Sequence, residues 1–366
     1  MFSGILVANC WYVAGFSEQF KPRNLHGKTI AERPIALWRG DDGKMVAFDD
    51  RCVHKRVPIS KGRFKTDGTV ECMYHGLCYN GEGKCVLIPS QLEGPIPSKA
   101  KLHPVPVMEQ DGLVWIWPGD PELAARVGPP RTPEIGGERW DTAAPIGPMH
   151  PKANYVLLIE NLLDISHFYP LHDGNIGNAE NSKIPVEIVD EVIDGNRKIG
   201  TLRRASNYAQ PPMLVEWLGY EAVDRIHTHC ILSPGICRVE MIAAPPGKLG
   251  TSADRRYVIY HTITPIDRKS HEWYLSVSCP SDMQWSLNPG VSPSQHISAT
   301  FPEVIAQDLY VLELQQEMLQ LPDSDSYTEV YLKADGALLR ARKALKEMEM
   351  QEQGKAATQV KAGVSG

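Results

Sequence analysis

Two histidines and a carboxylate lie close together in the run 161–172, Asn-Leu-Leu-Asp-Ile-Ser-His-Phe-Tyr-Pro-Leu-His. His167 and His172 are five residues apart, about 140° around an ideal helix, so a straight helix would direct them away from each other. Pro170 lacks an N–H group, and a break at this proline would bring His172 back beside His167. Two converging imidazoles with one carboxylate form the open triad that binds oxygen-activating Fe(II). For this run taken alone, hydrogen-bonded core histidines are the alternative.

A second set of possible metal ligands lies upstream. Cys52 and His54 are followed, after seventeen residues, by Cys72 and His75. Two thiolates and two imidazoles can hold a tetrahedral zinc ion, or a [2Fe–2S] cluster with cysteines on one iron and histidines on the other. Zinc sites usually pair two cysteines in one half of the motif, whereas here each half mixes the two residue types. The pattern therefore favours the cluster, with a structural zinc ribbon as the alternative.

The element that must position His167 is a helix predicted over about 154–168. Most residues from Tyr155 to Ile165 are apolar, so the helix should pack into a core. Glu160, Asp164 and His167 fall at i, i+4 and i+7, which places three polar groups on one helical face. Buried polar groups need partners, and ionised ones need strong partners.

The rest of the chain divides into an all-β first third and a mixed second part. Short strands separated by glycine turns fill residues 5–117, and proline and glycine are dense from 118 to 151. Long, half-alternating strands predict an antiparallel sheet with one buried face, at 186–193, 198–203, 237–243, 256–264 and 273–279. Two helices are predicted at 303–320 and 334–351, and the tail after Gln353 is expected to be disordered.

Composition excludes several classes of function. The chain has 366 residues, 42% of them hydrophobic, and its net charge of −6 offers no cationic surface for nucleic acid or anionic lipid. No membrane span or signal peptide is recognisable, and eight cysteines in such a length do not form a secreted disulfide scaffold. We therefore expect a soluble, cytoplasmic protein. Cys78 and Cys85 lie outside the ligand spacing and are predicted to be packing residues.

The two motifs together resemble a known family. Asp-Arg-Cys-Val-His-Lys-Arg at 50–56 and Cys-Met-Tyr-His-Gly-Leu at 72–77 resemble the Rieske domain of the non-haem iron aromatic-ring oxygenases. The run 161–167 with His172 resembles their catalytic iron motif. The similarity extends from about Trp11 to about Ala344. The opening Trp-Tyr-Val-Ala at 11–14 and Tyr-His-Gly-Leu at 74–77 look most like the vanillate and dicamba O-demethylase branch.

The resemblance implies a set of site residues: cluster ligands Cys52, His54, Cys72 and His75, iron ligands His167, His172 and Asp308, and catalytic residues Asn161 and Asp164. The third iron ligand is matched by position, in a segment that begins Gln307-Asp308, where an acidic residue is commoner than Gln307. Glu303 and Glu313 are the fallback carboxylates. In the family, the residue equivalent to Asp164 hydrogen-bonds an iron-ligating histidine, here His167, and the partner subunit's His75.

The implied fold is α+β, with an N-terminal all-β Rieske domain and a C-terminal antiparallel sheet surrounded by helices (helix-grip, START-like). We predict the Rieske domain over 1–120 with ligand loops near 50–57 and 70–80, a connection over 121–153, a catalytic domain over 154–352 and a tail over 353–366. The substrate pocket should lie between the second sheet and the helix of His167. Plausible lining residues are Phe168, Tyr169, Met213, Leu214 and Trp217.

The implied function is that of a terminal oxygenase component with one [2Fe–2S] cluster and one mononuclear Fe(II). The sequence has no G-x-G-x-x-G after a strand and no flavin signature, so electrons from NAD(P)H require a separate reductase, with or without a ferredoxin. The family geometry implies a head-to-tail homotrimer. Branch similarity favours monooxygenation of a small aromatic compound by O2, with O- or N-demethylation or dealkylation. Ring dihydroxylation is one alternative, and a Rieske electron carrier with a hydrophobic-ligand domain is another.

Overall fold

A computed structural model describes residues 4–91, 93–193, 196–283, 285 and 287–363. The chain forms two compact units, Ala8–Pro129 and Met1–Val7 with Pro130–Gly366. The division falls at residues 129 and 130, whereas the sequence suggested a limit at 120 and a separate connection to 153. The segment before Ala8 belongs to the second unit because Asn154 Nδ2 donates to the Ile5 carbonyl at 3.0 Å and Arg268 Nη1 to the Gly4 carbonyl at 2.6 Å.

The first unit consists of short antiparallel strands, as predicted. Its elements are β1 (Tyr12–Phe16), β2 (His26–Ile30), β3 (Arg33–Arg39), β4 (Met45–Asp49), β5 (Arg63–Phe64), β6 (Val70–Glu71), β7 (Cys78–Tyr79), β8 (Cys85–Leu87), β9 (Val107–Gln110), β10 (Leu113–Ile116) and helix α1 (Pro121–Ala124). They form three sheets with the orders β1-β10-β9, β2-β3-β4 and β5-β6-β7-β8. Trp38, Phe48 and Tyr79 build a core that includes Cys52 and Cys72.

The second unit places helices around one antiparallel sheet, which confirms the predicted α+β class. Its strands are β11 (Trp140–Thr142), β12 (Ile146–Met149), β13 (Glu187–Ile193), β14 (Asn196–Ala209), β15 (Ala222–Ser233), β16 (Ile236–Ala244), β17 (Arg255–Asp267) and β18 (Ser270–Pro280). Its helices are α2 (Tyr155–Leu163), α3 (Phe168–His172), α4 (Pro212–Leu218), α5 (Pro293–Thr300), α6 (Pro302–Leu319) and α7 (Gly336–Gly363). The strand order is β11-β18-β17-β16-β15-β14-β13, and β12 also pairs with β18.

The predicted helix over 154–168 is interrupted earlier than expected. Helix α2 ends at Leu163, because Asp164 adopts an extended conformation (φ −93°, ψ 91°) and its Oδ1 accepts the Ser166 N–H at 2.8 Å. The predicted break at Pro170 is wrong. Pro170 lies in the first turn of α3, where a backbone N–H would have no intrahelical acceptor and its absence costs nothing.

The last helix is longer than predicted. Helix α7 continues to Gly363, past Gln353, where the tail was expected to begin. The polarity of residues 355–361 led us to expect disorder. Alanine, glutamine and lysine recur there, and all three have high helix propensity. Residues 364–366 of the expected tail lie outside the described residues. No helix in the described part of the chain combines the length and apolar character needed to cross a bilayer.

Candidate metal centres

Helices α3 and α6 bring His167, His172 and Asp308 together. Asp308 Oδ1 lies 3.2 Å from His172 Nε2 and 3.7 Å from His167 Nε2, and the two imidazole centroids are 5.1 Å apart. His167 precedes the first residue of α3 and His172 is its last, while Asp308 is in the second turn of α6. One ligand atom from each side chain can be chosen so that all three lie within 4.8 Å of one another.

Two amide side chains hold this triad in place. Gln307 Oε1 lies 2.7 Å from His172 Nδ1, and Asn175 Nδ2 also points at this oxygen, from 3.4 Å. Because the amide oxygen accepts, His172 carries its proton on Nδ1 and its Nε2 keeps a lone pair. Asn161 Nδ2 donates to Asp308 Oδ1 at 3.0 Å. Sequence reasoning noted Gln307 only as a departure from the usual acidic residue.

The electrostatics of the triad suit a cation. Burial opposes ionisation of Asp308, but the His172 hydrogen bond and the nearby imidazoles outweigh it and lower the pKa of the carboxyl. Burial lowers the pKa of His167, although the negative charge of Asp308 acts in the opposite direction. The net lowering favours the neutral imidazole. Burial opposes protonation of His172, but the Asp308 carboxylate, 3.2 Å from its Nε2, and the Gln307 side chain raise its pKa. Once a cation takes the place of the proton on His172, two imidazole nitrogens and an ionised carboxylate supply the donor set of a mononuclear Fe(II).

The other carboxylates named from the sequence point elsewhere. Glu313 accepts the Lys152 N–H at 3.0 Å, and Glu303 is exposed and accepts from Asn175 Nδ2 at 3.4 Å. Glu160, on the same predicted face as His167, forms a buried ion pair with Arg342 of α7, with Nη2 and Oε2 2.7 Å apart. The carboxylate of Asp164 accepts from Ser166, and within the described residues it makes no hydrogen bond to His167.

The first unit presents Cys52, His54, Cys72 and His75 on two loops with matching geometry. In each loop the cysteine N–H donates to the carbonyl five residues on, and the cysteine carbonyl accepts from the N–H four residues on, with distances of 2.8–3.0 Å. This turn requires a left-handed residue at the fourth position after the cysteine, supplied by Arg56 (φ 60°) and Gly76 (φ 70°). The two loops are therefore structural equivalents, each carrying one cysteine and one histidine.

These four side chains form a buried thiol pair and an exposed imidazole pair. Cys52 and Cys72 are 2% and 1% exposed, whereas His54 and His75 are exposed and their ring centroids are 4.4 Å apart. In a tetrahedral zinc site all ligand atoms lie within about 4 Å of one another. Among the described residues, the only group of three or more such ligands within 4.8 Å is the His167–His172–Asp308 triad. The separate thiol and imidazole pairs thus fit the two irons of one cluster better than a single zinc ion.

An apolar cavity lies next to the triad. Phe168, Leu214 and Trp217 line it, as the sequence suggested, whereas Tyr169 and Met213 do not. Three lining residues were missed, His227 and His229 of β15 and His261 of β17. Strand β15 was overlooked because its buried face carries arginine and histidine, which invert the usual alternation of apolar and polar residues.

The missed histidines are neutral at physiological pH. Burial lowers the pKa of His229 and of His261 to about 3, and that of His227 well below its usual range. His229 Nδ1 lies 2.7 Å from the Leu162 carbonyl, which can only accept, so His229 carries its proton there. Its Nε2 therefore accepts from His227 Nε2 at 3.0 Å. The cavity wall is uncharged at these positions.

Comparisons with known proteins assign a family to each part of the chain. Residues 10–106 match the family described as the Rieske [2Fe-2S] domain, and residues 152–351 match the vanillate O-demethylase oxygenase C-terminal domain. The chain is 31% identical to the toluene-4-sulfonate monooxygenase system iron-sulfur subunit TsaM1 of Comamonas testosteroni, over 74% of this chain and 78% of that protein. It is 30% identical to a vanillate O-demethylase oxygenase subunit of Pseudomonas sp., over 85% and 86%.

A solved structure matches over almost the whole chain. The crystal structure of dicamba monooxygenase bound to 3,6-dichlorosalicylic acid superposes with a TM-score of 0.84 at 26% identity, covering 95% of this chain and 99% of that one. Another crystal structure of dicamba monooxygenase, with non-haem iron and dicamba, gives a TM-score of 0.77 at 26% identity, covering 95% and 98%. The similarity therefore includes both units and their order along the chain.

Proposed function

Because this chain belongs to the Rieske non-haem iron oxygenases, in the group of the vanillate and dicamba O-demethylase oxygenase components, we propose that it uses O2 to oxidise a small substituted aromatic compound. It is the oxygenase component of a multicomponent monooxygenase and works with a separate reductase. The reaction we favour is removal of an O- or N-linked methyl or alkyl group. The observation that carries the proposal is the His167–His172–Asp308 triad beside an apolar cavity.

We assign the iron to His167, His172 and Asp308, and the [2Fe–2S] cluster to Cys52, His54, Cys72 and His75. Iron bound at the triad, supplied with electrons from the cluster, provides the oxygen chemistry. The chain's own residues supply position and environment. Asn161 and Gln307 orient Asp308 and His172 through hydrogen bonds, and the apolar walls keep water away from the reacting centre.

Asp164 is proposed as a positioning residue between two subunits. Its negative charge favours the protonated form of His167, and its carboxylate follows the end of α2. By resemblance, it also bonds the partner subunit's His75. Asp164→Asn should leave both metal sites loaded and slow reduction of the iron by the cluster. Unchanged single-turnover rates in this variant would refute the role.

A head-to-tail homotrimer is proposed because each unit leaves part of its metal-binding region uncovered. In the first unit Met73 and Tyr74, beside His75, are 64% and 63% exposed. In the second unit exposed apolar side chains follow one stripe of α6: Tyr310, Leu314 and Met318. A heterologous contact between these two surfaces closes into a ring.

The trimer is tested by light scattering on the purified protein. Met318→Glu places a charge in the proposed contact and should give monomers with an intact absorption spectrum. Val192→Glu, at an apolar position on β13 that is even more exposed than Met318, is the control and should stay trimeric. A wild-type monomer, or a trimeric Met318→Glu variant, contradicts the arrangement.

NAD(P)H is proposed as the electron source, through the reductase and, where one exists, a ferredoxin. We also propose a cytoplasmic location. None of the eight cysteines, all of which the structure describes, forms a disulfide bond, as expected in a reducing compartment.

The reaction is tested by supplying the purified oxygenase with a surrogate reductase and NADH. Methoxy- and N-methyl-substituted arenes are offered in turn, and formaldehyde and O2 uptake are measured. Formaldehyde in proportion to O2 supports dealkylation. Diol or hydroxylated products with no formaldehyde from any methoxyarene would contradict it.

A further inference from the structure

Two arginine side chains are buried in the second unit without a carboxylate partner. Arg203 of β14 and Arg225 of β15 are 3% and 1% exposed. Neither forms an ion pair with any carboxylate in the described part of the chain, although the negative charge of Asp164 acts on Arg203 from a greater distance. Burying an uncompensated charge is costly, so buried arginines in proteins are nearly always paired. Two such residues on adjacent strands call for a nearby negative charge.

Only part of the hydrogen-bonding capacity of these arginines is satisfied within the described residues. Arg225 Nη2 donates to Asn181 Oδ1 at 2.8 Å, and its guanidinium lies 3.9 Å from the centre of the Tyr208 ring. Buried donors with no acceptor among the described residues are Arg203 Nε, Arg225 Nε, Arg225 Nη1 and Asn181 Nδ2. Donors without acceptors at one place are the complement of an oxyanion.

The same sheet pairs a half-buried arginine fully. Arg238 of β16 donates to Glu240 at 2.8 Å and to Glu134 at 2.7 Å. Arg256 adds a second cation to Glu240. The lack of an ion-paired carboxylate at Arg203 and Arg225 is thus particular to these two residues and not a general feature of this sheet.

Loss of a proton does not relieve the charge. Burial lowers the pKa of Arg203 to about 10, and burial also lowers the pKa of Arg225. Guanidinium groups nevertheless remain protonated at neutral pH. The cluster formed by Arg203, Arg225 and Asn181 is therefore positive under all ordinary conditions.

This cluster adjoins the cavity that contains the triad. Arg203 pairs in register with His227, and Arg225 lies two residues before His227 on the same buried face of β15. His227 lines the cavity. The register therefore places both arginines beside this wall, and burial, the neighbouring His229 and the charges of Arg225 and Arg203 all lower the pKa of His227.

We propose that Arg203, Arg225 and Asn181 bind the acid group of an aromatic substrate, a carboxylate or a sulfonate, while its oxidised substituent faces His167, His172 and Asp308. Only the orientation of the oxidised substituent toward the triad rests on the proposed function. A planar carboxylate or a tetrahedral sulfonate can accept from several guanidinium N–H groups at once. The ring would lie in the cavity beside the triad, against the wall that His227 forms next to the arginines.

The test is binding of matched ligands to the loaded oxygenase without reductase, so that no turnover occurs. Isothermal titration compares 4-methoxybenzoate with its neutral isostere 4-methoxybenzamide. We expect the benzoate to bind at least ten-fold more tightly. Arg203→Met and Arg225→Met should each weaken the benzoate at least ten-fold and leave the benzamide within two-fold.

Arg204→Met is the matched control. Arg204 neighbours Arg203 on β14 but is exposed, with its Nε 3.6 Å from Glu187. It should leave both affinities unchanged. The thermal midpoint adds a second readout: 4-methoxybenzoate should raise that of wild type and Arg204→Met, but not that of Arg225→Met. If the methionine variants do not fold, Arg225→Lys keeps the charge without the planar fork, and it should still weaken the benzoate several-fold.

Equal affinities for benzoate and benzamide, or full benzoate affinity in the variants that lose the arginines, would overturn the proposal. A structural inorganic anion is the competing source of negative charge. Sodium sulfate that binds tightly and is not displaced by 4-methoxybenzoate would show such an ion and overturn the substrate assignment. Formaldehyde formation from neutral methoxyarenes, measured separately, would leave the proposed function standing in either case.

Discussion

At the scale of single residues, the proposed iron site depends on groups that do not touch the metal. His172 can offer Nε2 only if its proton is held on Nδ1, and Gln307 Oε1 lies 2.7 Å from that nitrogen. Asn161 likewise fixes Asp308. The proposed ligands could be named from the sequence because their types and order resemble a family motif. The role of Gln307 could not be predicted, because its contact with His172 depends on how α3 packs against α6.

We predict that Gln307→Leu weakens iron binding at the triad by about 10- to 100-fold, the usual effect of losing a group that orients a metal-bound histidine. The measurement is iron retained during titration with a chelator. The visible spectrum of the [2Fe–2S] cluster should not change. Gln315→Leu, at an exposed position on α6, is the control and should bind iron like wild type. Unaltered iron affinity in Gln307→Leu would show that His172 needs no such partner.

At the scale of elements, the site is created by the end of one helix and the start of the next. Helix α2 is buried along almost its whole length. Asn154 caps its N-terminus, because its Oδ1 accepts the Val156 N–H at 3.0 Å. The Nδ2 group of Asn154 donates to the carbonyls of Ile5 and Arg268 at 3.0 and 2.8 Å. One amide thus caps the helix and ties it to two other segments.

Asn154→Ala should destabilise the second unit by about 2–4 kcal/mol, the sum of a lost N-cap and two buried carbonyls left without a donor. Scanning calorimetry should show its thermal midpoint lowered by roughly 5–10 °C. Ser292→Ala is the control, because the Ser292 hydroxyl oxygen accepts the Gln295 N–H at the start of α5 and, among the described residues, otherwise contacts only Ser294 of the same helix. It should cost only about 1 kcal/mol. Equal losses in the two variants would mean that the ties to Ile5 and Arg268 are unimportant.

Elements with a regular alternation of apolar and polar residues could be predicted from the sequence. Elements in which polar side chains of the proposed site interrupt that alternation could not. The all-β first unit, the strands of the second sheet at β13, β14 and β16–β18, and helix α6 were all recognisable. Strand β15 was missed because Arg225, His227 and His229 occupy its buried face. The break between α2 and α3 was misplaced because an aspartate that bonds Ser166, and not the proline, ends the helix. Both failures lie at the proposed site.

At the scale of the whole molecule, the second unit buries several histidines in the neutral state. Burial lowers the pKa of His229 and His261 to about 3 and that of His271 to about 4. The unfolded chain takes up these protons below the usual histidine pKa of about 6.5, whereas the folded chain does not. The free energy of unfolding should therefore be unaffected by these groups above pH 6.5 and fall as the pH decreases from about 6.5 towards 4.

His271→Asn isolates one of these protons at a residue outside the metal sites. His271 Nδ1 lies 2.7 Å from the Ala153 carbonyl, and asparagine can supply an N–H in its place. Between pH 6.5 and 4 the free energy of unfolding of the variant should depend on pH less steeply than that of wild type, by about 1.4 kcal/mol per pH unit. Denaturant titrations at several pH values measure both slopes, and the metal ligands, common to both proteins, cancel in the difference. Identical slopes would show that His271 protonates in the folded state.

The central claim is that one chain holds a sulfide cluster and a separate ferrous ion bound by Asp308 and two imidazoles. Its most direct test is the metal and acid-labile sulfide content of purified wild type and Asp308→Ala. We expect three irons and two sulfides per wild-type chain, and two irons, two sulfides and no oxygenase turnover in the variant. Three irons and full turnover in Asp308→Ala, or no labile sulfide in wild type, would contradict the account.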